Sequence, residues 1–167
     1  MTLEEAIMTA LDYERRIHDL YANAAAASRD AAGRRILELL AADEQKHLDY
    51  LQKRLQEWRQ KGRINLESLE TAVPPEAALA AELEKLETRI ASDDRGDDKQ
   101  LLGKALKVEI DTSDFYRTMV AQLDGDGRRM FARFLEIEKA HVAAVQFQLD
   151  YLSGSGYWFD FKEFDME

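Results

Sequence analysis

The stretches Glu44-Gln45-Lys46-His47 and Glu138-Lys139-Ala140-His141 share the spacing Glu-x-x-His. Residues three apart on an α-helix point to nearly the same face, so each stretch can direct one carboxylate and one imidazole at a common point. The chain has only three histidines, and two of them lie in these stretches. Two such helices, with two more that contribute one glutamate each, would supply the six ligands of a two-metal site in a four-helix bundle.

An internal repeat locates the two further glutamates. Glu14 precedes the first Glu-x-x-His stretch by 30 residues, and Glu109 precedes the second by 29. A tyrosine follows each of them seven residues later, at Tyr21 and Tyr116, which is two helical turns and therefore the same face. The chain thus has the pattern of two copies of one helical hairpin.

The glutamates of this repeat interrupt helical stripes that are otherwise apolar. A carboxylate is almost never fully buried without a partner. The same stripes carry too few lysines or arginines to pair with four carboxylates. The pattern therefore predicts bound cations between the helices, in preference to four ordinary surface glutamates.

At these residues the sequence resembles the ferritin-like superfamily and, within it, the rubrerythrin-like proteins, over about residues 2–152. The segments that carry the resemblance are Tyr13-Glu14 through Tyr21, Asp43-Glu44-Gln45-Lys46-His47, Val108-Glu109 through Tyr116, and Glu138-Lys139-Ala140-His141. The resemblance implies a chemistry in which ferrous iron reacts with dioxygen or hydrogen peroxide. It implies as metal ligands Glu14, Glu44, His47, Glu109, Glu138 and His141.

Three features depart from the family pattern. Rubrerythrin proper has a further glutamate three residues before the one at 109, where this chain has Leu106. It also has a rubredoxin domain with a four-cysteine iron site, whereas this sequence has no cysteine, so we expect an external electron-donor protein. Bacterioferritin-like sites place an aspartate before the glutamate of both stretches; here Asp43 keeps that pattern and Ile137 does not.

Carboxylate and imidazole ligands favour iron or manganese over metals that prefer sulfur. The expected function is a di-iron oxidoreductase of the peroxidase or oxidase type, with two iron ions, or manganese, as cofactor. A ferroxidase for iron storage or handling, a manganese catalase and a metal-binding structural module without turnover stay open as alternatives. We expect Tyr21, Tyr116 and Asp43 to support the ligands, with the glutamate two turns away as the nearest partner of each tyrosine hydroxyl. His18 lies near the face of Glu14 and is expected to be a half-exposed helix residue, with a residue that supports the ligands or an alternative ligand as the other interpretation.

Composition agrees with one helical domain. The 167 residues are 46% hydrophobic and include eight glycines and two prolines, with a net charge of −10. Such an acidic balance argues against a nucleic-acid partner, for which a basic patch is expected. We find no apolar run long enough for a membrane span. The N-terminal residues lack the pattern of a secretory signal, which favours the cytoplasm.

The predicted fold is all-α: a ferritin-like four-helix bundle with a long crossover, containing a short extra helix, between its second and third helices. Helical periodicity and stop signals place the long helices at about 2–28, 30–61, 98–124 and 127–152. The crossover occupies 63–75, and the short helix follows at about 75–92.

The C-terminal residues form a separate unit, so the predicted domains are the bundle at 1–152 and an aromatic tail at 153–167. Ser153-Gly154-Ser155-Gly156 is predicted to be a flexible hinge. The aromatic residues after it are Tyr157, Trp158, Phe159, Phe161 and Phe164. Since they need cover from water, we expect them to pack on their own bundle, across a homodimer partner, or on another protein.

Overall fold

The computed structural model describes residues 1–79 and 96–159, and in these ranges the chain folds into four long helices. They are α1 (Leu3–Ala27), α2 (Ala31–Lys61), α3 (Gly96–Gln122) and α4 (Gly125–Ser155). The described ranges contain no β-strand. The predicted all-α helical bundle is therefore confirmed. None of the helices in this part of the chain is long and apolar enough to cross a membrane.

Local signals in the sequence explain where the first two helices begin and end. Thr2 and Glu5 form a capping box at the start of α1, in which each side chain bonds the backbone N–H of the other. The Asp30 side chain accepts from the N–H of Gly33 and begins α2. That helix ends at Gly62, whose left-handed conformation (φ 65°) favours glycine because it has no Cβ.

The bundle is made of two hairpins. Helix α1 packs along α2, helix α3 packs along α4, and α1 also contacts α3 and so joins the hairpins. Along each helix the buried apolar residues fall into two groups, on either side of a short polar stretch. On α1, Ile7 and Ala10 belong to one apolar layer and Ile17 and Tyr21 to the other. Glu14 lies between the two layers. On each of the other three helices a short polar stretch likewise separates two groups of apolar residues.

The connection from α2 to α3 first runs across the bundle as a loop. The guanidinium of Arg133 on α4 donates two hydrogen bonds to the carbonyl of Leu69, at 3.0 and 2.8 Å. The loop buries three of its own side chains, those of Ile64, Leu69 and Val73. Residues 76–79 are helical. Most of the short helix predicted at 75–92 lies outside the described residues.

The C-terminal end of α4 differs from the sequence prediction. The helix continues through Ser155, so the predicted hinge at residues 153–156 is wrong. The Ser155 hydroxyl bonds the carbonyl of Tyr151, and the helix stops only at Gly156, which has a φ of 77°. Trp158 and Phe159 are buried against their own bundle, which is the first of the three packing arrangements considered. Phe161 and Phe164 lie outside the described residues.

Candidate metal centre

The six residues implied as ligands come together at the centre of the bundle. Helices α1 and α3 contribute one glutamate each, and α2 and α4 contribute one Glu-x-x-His pair each. All six side chains are fully buried: Glu14, Glu44, His47, Glu109, Glu138 and His141. Two overlapping sets, each of three glutamates and one histidine, have donor atoms within 4.8 Å of one another. These sets have the composition and spacing to hold metal ions.

The two imidazoles present the same nitrogen to the cluster. His47 Nδ1 lies 3.2 Å from Glu14 Oε2, 3.1 Å from Glu44 Oε2 and 3.5 Å from Glu138 Oε1. His141 Nδ1 lies 2.7 Å from Glu44 Oε1. The rings stack with their centres 5.3 Å apart and an angle of 21° between their planes. Each Nδ1 is therefore directed inward and each Nε2 outward.

The tyrosines of the repeat support glutamates of the opposite hairpin. The Tyr21 hydroxyl on α1 donates to Glu109 Oε1 on α3 at 2.6 Å. The Tyr116 hydroxyl on α3 donates to Glu14 Oε1 on α1 at 2.5 Å. The expected partner, the glutamate two turns away on the same helix, was therefore wrong. The crossed pairs link α1 to α3 and orient one oxygen of each glutamate.

Several carboxylate oxygens at the centre accept no hydrogen bond from the described residues. They are Glu44 Oε2, Glu109 Oε2, Glu138 Oε1 and Glu138 Oε2. Some lie at ion-pair distance from a histidine, as Glu44 Oε2 does, but without hydrogen-bond geometry. Within residues 1–79 and 96–159 these glutamates have no ion pair with a lysine or arginine. A buried carboxylate oxygen without a partner is costly, and a divalent cation would satisfy it.

In the absence of a metal, protons compensate the buried charges. Burial opposes ionisation of Glu14, but the neighbouring His47 and hydrogen bonds outweigh it and lower the pKa of Glu14 to about 2. Burial and the negative charge of Glu14 raise the pKa of Glu44 to about 8. Burial, with the charges of Glu14 and Glu44, also raises the pKa of Glu138 well above its usual value.

The second hairpin follows the same pattern. Burial opposes ionisation of Glu109, but the charge of His141 and its hydrogen bond lower the pKa of this glutamate. Burial disfavours the charged form of both imidazoles. The surrounding carboxylates nevertheless raise the pKa of His47 and of His141 well above their usual range. The pKa shifts thus favour the ionised form of the first glutamate of each hairpin, and the protonated forms of the second glutamate and of the histidine.

Asp43 lies outside the ring of six and binds the outer face of one imidazole. Its Oδ2 is 2.7 Å from His141 Nε2 and accepts the Thr71 hydroxyl at 2.7 Å, while its Oδ1 accepts the backbone N–H of Ala72 at 2.9 Å. Asp43, His47 and His141 also form a possible cation-binding group. Because both oxygens of Asp43 already accept hydrogen bonds, we interpret Asp43 as support for the imidazole of His141.

His18 is partly exposed and pairs with Asp19 at 3.0 Å, so it takes no part in the cluster. Sequence reasoning missed Thr71, because nothing in its local sequence marks a loop threonine that will meet a carboxylate 28 residues earlier. A surface cavity of about 400 Å³ lies between the loop and α4, with Thr71, Ile137 and Ala140 in its wall. It is an approach from the surface to residues that adjoin the ligands.

We compared the chain with protein-family models, with curated proteins and with solved structures, and none of them matched.

Proposed function

We propose that this protein is a di-iron oxidoreductase that oxidises Fe(II) with hydrogen peroxide or dioxygen. The observation that supports this most strongly is the fully buried set of four glutamates and two histidines. Their unsatisfied oxygens lie together, and no lysine or arginine of the described chain compensates them. We further propose, on the same residues, that the chain is a rubrerythrin-like member of the ferritin-like superfamily.

The ligand set has two halves. We assign one metal position to Glu14 and His47 and the other to Glu109 and His141. The glutamates Glu44 and Glu138 appear in both sets of donor atoms, and we assign them as the ligands that the two positions share. Oxygen and imidazole donors suit iron, and they also suit manganese.

The chemistry follows from this donor set. When bound, two ferrous ions would supply one electron each to the oxidant. Reduction of one hydrogen peroxide to two water molecules takes up these two electrons and two protons. The residues of the chain hold the ligands in place through Tyr21 and Tyr116, and the apolar layers on both sides exclude bulk water from the centre.

The first experiment measures metal content. The metal-free protein is titrated with Fe(II) without oxygen, and bound iron is counted by elemental analysis. We expect two ions per chain, with at least one lost in Glu44→Ala and in Glu138→Ala. Glu136→Ala is the matched control, because Glu136 is exposed two residues before Glu138 and should keep both ions. Full occupancy in both ligand variants would refute the assignment.

The second experiment tests turnover. Fe(II)-loaded protein is mixed with hydrogen peroxide, and its oxidation is followed by absorbance. We expect one fast oxidation that stops until an external reductant is added, because the sequence contains no cysteine that could form a rubredoxin-type site. Sustained peroxide consumption without reductant would indicate a catalase cycle instead. No reaction with peroxide or dioxygen would indicate a structural metal site.

A further inference from the structure

The two histidines of the site differ in what their outer nitrogen contacts. His141 Nε2 is 2.7 Å from Asp43 Oδ2. His47 Nε2 is buried and has no hydrogen-bond partner among the described residues, and it lies 3.8 Å from the same oxygen. Both inner nitrogens face the cluster and hydrogen-bond a ligand glutamate, His47 to Glu14 and His141 to Glu44. Only the outer nitrogens differ in whether they have a hydrogen-bond partner at all.

The repeat itself accounts for this difference. Asp43 immediately precedes Glu44, and the residue that immediately precedes Glu138 is Ile137, which is buried. The chain therefore has an acidic partner for one histidine and an aliphatic residue at the repeat position that corresponds to it. Asp43 is also fixed before any metal arrives, because Thr71 and the backbone of Ala72 each donate to it.

A carboxylate on the outer nitrogen changes an imidazole as a ligand. It accepts the Nε2–H, so the lone pair of the neutral ring lies on Nδ1, which faces the metal position. It also holds the ring plane and makes the imidazole a stronger donor, and loss of such a partner typically weakens metal affinity about 10–100-fold. His141 has this support, and His47 does not.

We infer that the two metal positions are unequal and fill in order, with Asp43 making the position at His141 the tighter one. The inference rests on the two-metal site proposed above. Asp43 acts as a positioning residue, and the loop at 69–73 acts with it, because Thr71 and Ala72 hold its carboxylate. The position at His47 fills second, since its ligand must be oriented without an outer partner.

The test is a calorimetric titration of the metal-free protein with Co(II), whose absorption spectrum reports each coordination step. We expect two separate steps in the native protein. His141→Gln should remove the tight step and His47→Gln the weak one. The opposite assignment, or two equal steps in the native protein, would overturn the inference while leaving the two-metal site intact. Absence of any binding would instead overturn the proposed function.

Asp43→Asn separates a positioning role from a general structural one. The amide keeps the size and one acceptor but loses the charge, so we expect the tight step to weaken about 10–100-fold and the weak step to stay within about threefold. Thr71→Val should weaken the tight step less, because the carboxylate is retained. Asp49→Asn, an exposed aspartate on the same helix, is the control and should change neither step. Equal weakening of both steps in Asp43→Asn would overturn the inference.

Discussion

At the residue scale, the centre balances its charge with protons where a metal is absent. The lowered pKa values of Glu14 and Glu109 favour their ionised forms, while the raised pKa values of Glu44 and Glu138 favour their protonated forms. The surrounding carboxylates raise the pKa of both histidines, which favours their positively charged forms. Two divalent cations that displace four protons would leave the total charge of the six residues and the bound ions together unchanged.

This balance predicts proton release on metal binding. Loading of two divalent ions at pH 7 should release up to about four protons, two from the imidazoles and two from the carboxyl groups, because metal ligands must be deprotonated. Affinity should therefore fall as the pH is lowered. The release is measured by calorimetry in buffers of different ionisation enthalpy. Glu44→Gln should release about one proton fewer, and binding without proton release would contradict this charge pattern.

At the element scale, residues 157–159 fold back onto α2, α3 and α4. The side-chain amide of Gln148 on α4 makes two hydrogen bonds with the backbone of Phe159. It donates to the Phe159 carbonyl at 2.7 Å and accepts from the Phe159 N–H at 3.0 Å. The indole of Trp158 donates to Asp98 at 3.1 Å and lies against Gly33. A Cβ at Gly33 would be 2.8 Å from this ring, so the close approach needs a glycine.

A pair of glycine substitutions tests this contact. Gly33→Ala should lower the free energy of unfolding by about 1–3 kcal/mol, because the new methyl group overpacks against Trp158. Gly103→Ala is the matched control, since Gly103 lies within α3 with open space around it. It should raise stability by about 0.5–1 kcal/mol through helix propensity. The measurement is denaturant unfolding, and equal stabilisation by both substitutions would show that Trp158 does not pack on Gly33.

At the scale of the whole molecule, the bundle places its most polar residues between two apolar layers. This arrangement makes folding of the metal-free protein dependent on pH. Glu44 has a pKa of about 8 in the folded protein and an ordinary value of 4.5 when unfolded. Its contribution to the free energy of unfolding is complete below pH 4.5 and is lost as the pH rises to 8. The histidines act in the same direction above pH 6.5, since folding raises their pKa as well.

We therefore expect the melting temperature of the metal-free protein to fall between pH 5 and pH 8. A bound divalent metal should remove most of this decrease, because it stabilises the ionised glutamates and binds only the folded chain. The lowered pKa of Glu14 does not change the stability between pH 5 and pH 8, because its carboxyl is largely ionised in both states above its ordinary value of 4.5 and its stabilising effect is therefore nearly constant. Repulsion from the net charge of −10 also grows with pH.

Glu44→Gln separates these effects. It keeps the general repulsion but removes the titrating carboxyl, so its melting temperature should depend less on pH than that of the native protein. The comparison uses thermal unfolding of both proteins at pH 5 and pH 8, with and without metal. A metal-free native protein that is more stable at pH 8 than at pH 5 would contradict the predicted direction.

Spacing along the chain was sufficient to predict the helical architecture and the residues that converge at its centre. Glu-x-x-His places two side chains on one helical face, and the repeat of Glu14 and Glu109 identifies the facing helices. The first is a local property of every α-helix and the second is a pattern within the sequence, so both can be deduced without coordinates. The start of α2 at Asp30 and its end at Gly62 are local for the same reason, since caps act on backbone groups within one turn.

The contacts between separate elements could be learned only from the tertiary structure. The crossed pairs of Tyr21 with Glu109 and Tyr116 with Glu14 require the register of α1 against α3, which helical periodicity does not specify. Thr71 reaches Asp43 only because the loop folds over α2 and α4. Trp158 finds its place beside Gly33, about 125 residues earlier in the chain. Spacing within a helix follows from 3.6 residues per turn, whereas these contacts follow from how separate elements pack.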